Sequence, residues 1–161
     1  MSAAGATVPS AQGSELDPAA LLALTVAPAK GHATGNDFIL HTDPDAALEL
    51  SDAQIQALTN RHTGIGGDGV IRAVRTQALA GREPTAYQAT LDAPEAEWFM
   101  DYRNADGSIA EMCGNGVRLF VRYLAQRSLI DLPDGGRIVV GTRAGALGIT
   151  NADAVVQLGT A

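Results

Sequence analysis

One amphipathic helix in a chain of short strand-like runs constrains the fold most. Four apolar residues in the second half of the chain recur at i, i+3, i+4 and i+7, which is the spacing of one helical face. They are Val117, Phe120, Val121 and Leu124. The pattern predicts a helix that begins next to Cys113 and runs to about Ser128.

A second helix is predicted near residue 51. Ser51 and Gln54 have the S-x-x-Q spacing of a capping box, and Ile55 and Leu58 fall on one face of the helix that would follow. Gly64 is a suitable C-terminal stop for this helix. The pattern therefore indicates a short helix over the early fifties to about residue 63.

Most of the remaining chain has the composition of short strands separated by Gly, Pro, Asn and Asp turns. The predicted strands are residues 24–30, 37–42, 70–74, 98–103, 137–142, 146–150 and 154–158. Residues 104–108 are predicted to form a turn, and residues 76–97 a long surface loop with a short strand near Tyr87. Seven strands and two clear helices predict an α+β fold.

Composition limits the function classes. The chain has 161 residues, 46% of them hydrophobic, and a net charge of −7, which indicates a globular domain and argues against a nucleic-acid partner. The longest apolar stretch, residues 19–29, is shorter than the ~20 residues of a membrane-spanning helix. Residues 1–22 are predicted to be a disordered leader and residues 23–161 a single domain. No basic residue precedes this apolar stretch, so we expect a cytoplasmic protein and no secretory signal.

The cysteine, lysine and histidine content limits cofactor chemistry. Cys113 is the single cysteine, which excludes an internal disulfide and a CxxC-type zinc site. Lys30 is the single lysine, so it is the one residue able to form a pyridoxal Schiff base. The three histidines, His32, His41 and His62, lack metal-ligand spacing. We therefore expect no metal site.

Cys113 is the strongest candidate for chemistry. It directly precedes Gly114, Asn115 and Gly116, where the amphipathic helix is predicted to begin. A thiol there meets free backbone N–H groups and the positive end of the helix dipole, which favours the thiolate and also attracts a substrate carboxylate. The alternative is that Cys113 is a small buried apolar residue. The local pattern leaves both interpretations open.

Two further runs are rich in glycine. Residues 31–38, GHATGNDF, contain a Thr-Gly-Asn-Asp segment that is typical of a hairpin turn. Residues 61–69, RHTGIGGDG, contain four glycines that could cradle an anion, although the run lacks the Lys-Ser/Thr ending of a Walker loop. A plain glycine-rich turn between a helix and a strand explains the second run equally well.

Together the three runs resemble diaminopimelate epimerase. The resemblance is carried by GHATGNDF at 31–38, RHTGIGGDG at 61–69 and NADGSIAEMCGNGVRLFVRYL at 104–124, and it extends from about Leu24 onward. It implies an N-terminal lobe in which a mixed β-sheet curls around a central α-helix. It also implies that LL- and meso-diaminopimelate are interconverted without pyridoxal phosphate or metal, for lysine and peptidoglycan precursor synthesis.

The resemblance also implies roles for individual residues. Cys113 matches the catalytic cysteine of the N-terminal lobe. Four residues match groups that bind the substrate, namely Asn36, Asn104, Gly114 and Asn115. At Gly69 some family members have a glutamine that touches substrate, and glycine cannot supply that side chain. Proline racemases share the architecture but usually have histidine where this chain has Asn115, which favours diaminopimelate as substrate.

One departure from the family pattern stands out. The reaction uses two cysteines, the second from a C-terminal lobe, and this chain contains Cys113 alone. Three explanations are open: a fragment of a longer polypeptide, a split gene whose partner chain supplies the other lobe, or a lobe that stands alone. The first two place the missing C-terminal lobe in cis or in trans. The third makes the chain a non-catalytic ligand-binding or interaction module.

Overall fold

The computed structural model describes residues 28–154 and the backbone of residues 157–160. Its described part contains one seven-stranded sheet, three α-helices and a short 3-10 helix at Thr76–Leu79. The strands are β1 Ala29–Ala33, β2 Asn36–Thr42, β3 Gly69–Arg75, β4 Trp98–Asn104, β5 Arg137–Thr142, β6 Gly145–Thr150 and β7 Gln157–Thr160. The α-helices are α1 Asp52–Thr59, α2 Pro84–Gln88 and α3 Gly114–Gln126. The predicted α+β class is confirmed.

The sheet is mixed, with the strand order β6-β5-β4-β3-β2-β1-β7. Strands β2 and β3 pair in parallel, as do β4 and β5, and the other neighbours are antiparallel. A parallel pair needs a crossover connection, and helices lie in both crossovers, α1 between β2 and β3 and α3 between β4 and β5. The two helices cover opposite faces of the sheet.

Helix α3 forms the centre of the main core. The four residues of the predicted apolar face are buried, and Leu119 and Tyr123 are buried as well. The core cluster around α3 takes residues from β1 to β5, including Phe38, Leu40 and Ile71. A helix buried on so much of its circumference is enclosed by the sheet, which confirms the expected curled sheet around a central helix.

Helix α1 covers the other face. Ile55 and Leu58 pack against Ile39 and Val70, and the predicted capping box is present, with Ser51 Oγ accepting from Gln54 N at 3.3 Å. The predicted stop at Gly64 is wrong, because the helix already ends at Thr59.

The helix ends early because Asn60 adopts an extended backbone, with φ −60° and ψ 121°. The Asn60 side-chain oxygen then accepts hydrogen bonds from the backbone N–H groups of His62 and Thr63, at 2.8 and 3.1 Å. A local Asn turn therefore replaces the glycine stop that the sequence suggested.

The segment 76–97 differs from its prediction. Tyr87 lies in helix α2, not in a strand, and Pro84 occupies the start of that helix, where a missing N–H costs no hydrogen bond.

The first and last strands also differ in their bounds from the prediction. The first strand runs over Ala29–Ala33, whereas the prediction was 24–30. Residues 24–27 and the predicted leader, 1–22, lie outside the described residues. The last strand is Gln157–Thr160 instead of 154–158, and residues 155–156 are also outside the described part.

A cluster of buried charges lies on the face of the sheet that α1 covers. Asp101 accepts hydrogen bonds from Arg72 Nε at 2.8 Å and from Arg143 Nη1 at 2.7 Å, and both arginines also pair with Glu83. Burial opposes ionisation of Asp101, but the two arginines hold its pKa below the ordinary value. Beside this cluster lies a cavity of about 220 Å³ lined in part by His41.

Across the described residues, no helix is long and apolar enough to cross a membrane.

Candidate active site

The candidate residues meet at one end of the sheet. Gly69, the first residue of β3, pairs with Phe38 of β2 on one side and with Asn104, the last residue of β4, on the other. The turn between β1 and β2 lies at this end, because Ala33 pairs with Asn36 and leaves two residues between them. The segment that follows β4 leads to Cys113 and α3.

Cys113 is the N-cap residue of α3. Its backbone is extended, with φ −137° and ψ 117°, its side chain is half-buried, and its carbonyl accepts from Val117 N at 2.8 Å. The first N–H groups of the helix have no partner within the helix, so Cys113 lies at the positive end of the helix dipole. Gly116 allows close packing here, because a Cβ at that position would lie 3.3 Å from Ile71 Cδ1.

Asn36 and Asn115 are in direct contact. Asn115 Nδ2 donates to Asn36 Oδ1 at 2.8 Å, across 79 residues of sequence. Asn115 Oδ1 accepts from Thr34 Oγ1 at 2.9 Å. The structure therefore brings together two of the asparagines that the sequence predicted, of which Asn115 lies two residues after Cys113 in the chain, and it adds Thr34.

A network of ion pairs supports Asn36. Asp68 Oδ2 accepts from Asn36 Nδ2 at 3.3 Å and from Asp37 N at 3.1 Å. Arg61 donates two hydrogen bonds to Asp37, at 2.8 and 2.6 Å, and a third to Asp68 at 3.0 Å. Hydrogen bonding from Arg61 holds the pKa of Asp37 far below its usual range, with Lys30 contributing in the same direction.

The glycine-rich run 61–69 does not offer a cradle for an anion. Four of its backbone N–H groups already donate to carbonyls of the protein, and two of these bonds return the loop to the end of α1. The bonds are Gly64 to Asn60, Gly66 to Leu58, Gly67 to Thr59 and Asp68 to Asp37, at 2.7–3.1 Å. The alternative of a packed turn is therefore the correct one, and the turn presents Asp68 and Arg61 to the site.

Tyr102 is a site residue that the sequence reasoning missed. Its hydroxyl donates to Asn104 Oδ1 at 2.8 Å, and Asn104 Nδ2 donates to Ser108 Oγ at 3.0 Å. Burial raises the pKa of Tyr102, and the charges of Cys113 and Asp68 act in the same direction. Strand periodicity was the available signal, because residues 102 and 104 share one face of β4. Tyr102 thus links Asn104 to the neighbourhood of Cys113.

Comparison with known protein families shows the family to which the chain belongs. The profile of the diaminopimelate epimerase family matches residues 28–161, which includes every candidate residue. The chain belongs to the diaminopimelate epimerase family. Among its curated relatives are diaminopimelate epimerases from the three sources named below.

The relative from Thermobifida fusca is 55% identical over 118 residues, 73% of this chain and 41% of the relative. The relative from Corynebacterium glutamicum strain R is 50% identical over 122 residues, which cover 76% of this chain and 40% of the relative. The relative from Streptomyces coelicolor is 46% identical over 135 residues, which cover 82% of this chain and 43% of the relative. The chain therefore spans about two fifths of the length of the diaminopimelate epimerases it matches.

Gly69 of this epimerase-family lobe has no side chain to offer a substrate, and its backbone pairs with β4. A Cβ at this position would overlap the carbonyl oxygen of Arg103 and lie 2.6 Å from Tyr102 Cε2. Close pairing between β3 and β4 therefore requires glycine here. A larger side chain at position 69 would need a different approach of the two strands.

Among the described residues of this family member, no three His, Cys, Asp or Glu side chains cluster where a metal ion could bind. The Lys30 ammonium forms a salt bridge with Asp37 at 3.4 Å and donates to the Ile65 carbonyl at 3.3 Å.

Proposed function

We propose that this chain supplies one half of the active site of a diaminopimelate epimerase, with Cys113 as one of two thiols that exchange the α-proton. The observation that carries the proposal is the position of Cys113 at the N-terminus of α3, beside the Asn36–Asn115 pair. Membership of the diaminopimelate epimerase family supports the choice of substrate. The reaction is an isomerisation that needs neither metal nor pyridoxal phosphate.

The chemistry explains why one cysteine is half of the machinery. Inversion at carbon requires a base on one face of the carbon and an acid on the other. Cys113 is the single cysteine of the 161 residues, so the second thiol comes from a C-terminal lobe, in cis or in trans. The substrate α-carbon lies between the two lobes in this proposal.

Helix α3 lowers the barrier to proton removal. Removing an α-proton places negative charge on the carbon and its carboxylate, and fixed donors that face this charge stabilise the transition state. The backbone N–H groups at the start of α3, including that of Gly114, are such donors. Gly114 and Asn115 hold the reacting end of the substrate, and Asn36 and Asn104 also bind the substrate. The enzyme works in the cytoplasm.

Two experiments test the proposal. The purified 161-residue chain should not convert LL- to meso-diaminopimelate, and measurable conversion by this chain alone would refute the two-lobe assignment. A fusion joins residues 28–161 to the part of the Thermobifida fusca relative that follows the aligned segment. This fusion should incorporate α-deuterium from D₂O into diaminopimelate, as followed by NMR.

A matched variant makes the second experiment specific. Cys113→Ala in the fusion should abolish LL-to-meso conversion and deuterium incorporation into the isomer whose α-proton faces Cys113, whereas Arg127→Lys, near the end of α3, should leave both intact. Binding of diaminopimelate by the fusion without any exchange would support the alternative of a non-catalytic binding module. LL-to-meso conversion that persists in Cys113→Ala, or exchange of both isomers, would show that a group other than Cys113 removes the proton on this face.

A further inference from the structure

Thr34 has an unusual backbone for its residue type. It occupies the two-residue turn between β1 and β2 with a φ of +49°, followed by Gly35 with a φ of +92°. A two-residue hairpin of this kind requires positive φ at both positions, which Asn and Gly adopt easily and a β-branched residue does not. Threonine at this position is therefore costly for the fold, and strain of this kind clusters at functional sites.

The Thr34 hydroxyl is the end of a directional chain of hydrogen bonds. The Asp68 carboxylate only accepts, so Asn36 must turn its NH₂ toward Asp68 and its carbonyl oxygen toward Asn115. Asn115 must then present its own NH₂ to Asn36, which leaves its carbonyl oxygen facing Thr34. The Thr34 hydroxyl completes the chain by donating at 2.9 Å. Each amide orientation follows from the one before it.

We propose that Thr34 is a positioning residue, whose hydroxyl fixes the amide orientation of Asn115 at the N-terminus of α3. Its effect on turnover rests on the proposed function, because Asn115 acts there as a substrate-binding group. The Asn115 NH₂ carries two hydrogens, and Asn36 takes one of them. Thr34 and Asn36 together therefore fix the direction of the second hydrogen. The strained turn is retained because it carries the hydroxyl to this point.

The first test does not depend on activity. In the 161-residue chain labelled with ¹⁵N, the Asn115 side-chain amide is assigned by its loss in Asn115→Asp. Thr34→Val keeps the shape and the strained backbone but removes the hydroxyl, and it should shift both Asn115 amide protons toward the positions of a free amide. Thr34→Ser should keep the wild-type positions. Unchanged Asn115 signals in Thr34→Val would overturn the proposal.

A second variant separates the hydrogen bond from the strain. Thr34→Gly relieves the backbone and removes the hydroxyl, so it should unfold at a higher temperature than wild type while showing the same Asn115 shifts as Thr34→Val. This variant also provides the test should Thr34→Val fold poorly. Wild-type Asn115 signals in Thr34→Gly would mean that the threonine hydroxyl does not orient Asn115, and they would overturn the proposal.

The kinetic test uses the fusion enzyme. Thr34→Val should raise KM about three- to tenfold, the range expected for one net hydrogen bond, with a smaller change in kcat. Thr34→Ser should restore KM to within about twofold of wild type. An unchanged KM in Thr34→Val would contradict the positioning role. A fusion that is inactive with wild-type Thr34 would refute the proposed function, while the Asn115 signals would still decide the role of Thr34.

Discussion

Replacing His41 with glutamine should remove a large part of the pH dependence of stability. His41 lies on β2, is 4% exposed and pairs in register with Arg72 of β3. Burial and the charge of Arg72 lower the pKa of His41 from 6.5 to about 4, against the opposing effects of Asp43 and Asp101. The folded protein therefore keeps this imidazole neutral over a range in which the unfolded chain protonates it.

The sign and size of the effect follow from that difference. Between about pH 6.5 and about pH 4 the unfolded chain binds a proton that the folded chain does not, so the free energy of unfolding falls as the pH falls. At 1.36 kcal/mol per pH unit, the loss between about pH 7.5 and about pH 4.5 is about 2.5 kcal/mol. Asp37 and Asp101, whose pKa values are lowered, stabilise the fold above their usual range near 3.9 and lose this contribution only at lower pH.

The assay is urea unfolding at a series of pH values. Wild type should lose about 2.5 kcal/mol more than His41→Gln between about pH 7.5 and about pH 4.5, whatever the absolute stability of the variant. His62→Gln is the matched control, because it makes the same substitution at an exposed position. Parallel pH profiles for wild type and His41→Gln, within about 0.5 kcal/mol, would refute the reasoning.

Two further substitutions test packing and ion pairs within the sheet. Gly69→Ala should lower the free energy of unfolding by about 1–3 kcal/mol, because the new methyl group overlaps the carbonyl of Arg103, and an unchanged urea midpoint would contradict this contact. Asp101→Asn should cost about 3 kcal/mol or more, because Arg72 and Arg143 lose their shared buried partner. A loss below about 1 kcal/mol by the same unfolding assay would show that Glu83 is sufficient for both arginines.

The helices show what periodicity in the sequence can and cannot reveal. The apolar spacing predicted α3 and one of its faces, but it did not predict that Leu119 and Tyr123 are buried too. Leu119 directly follows Arg118, and Tyr123 directly follows Arg122. In the sequence alone, this side of the helix therefore has the mixed composition of a solvent-exposed face, and its burial is seen only when the surrounding sheet is known. Helix α2 has five residues, too few for a 3.6-residue period to be detected.

The candidate site was predictable where a motif carried it and unpredictable where distant segments meet. Asn36, Asn104, Asn115 and Cys113 each lie in one of the matched runs. The contact between Thr34 and Asn115 spans 81 residues, and no spacing within either run indicates it. The same limit applies to the glycine-rich run, whose sequence was equally compatible with an anion cradle until its N–H groups were seen to be bonded within the fold.

The strand order explains why α3 directs its N-terminus toward these residues. Strands β2 and β3 are parallel, so both begin at the same end of the sheet, and β4 is antiparallel to β3, so β4 finishes there. The segment that leaves β4 must start its crossover helix from that end, which places the positive end of the helix dipole beside Asn36 and Cys113. A one-residue slip between β3 and β4 would turn Tyr102 and Asn104 to the opposite face. The register that Gly69 permits is therefore a condition for the site as well as for the sheet.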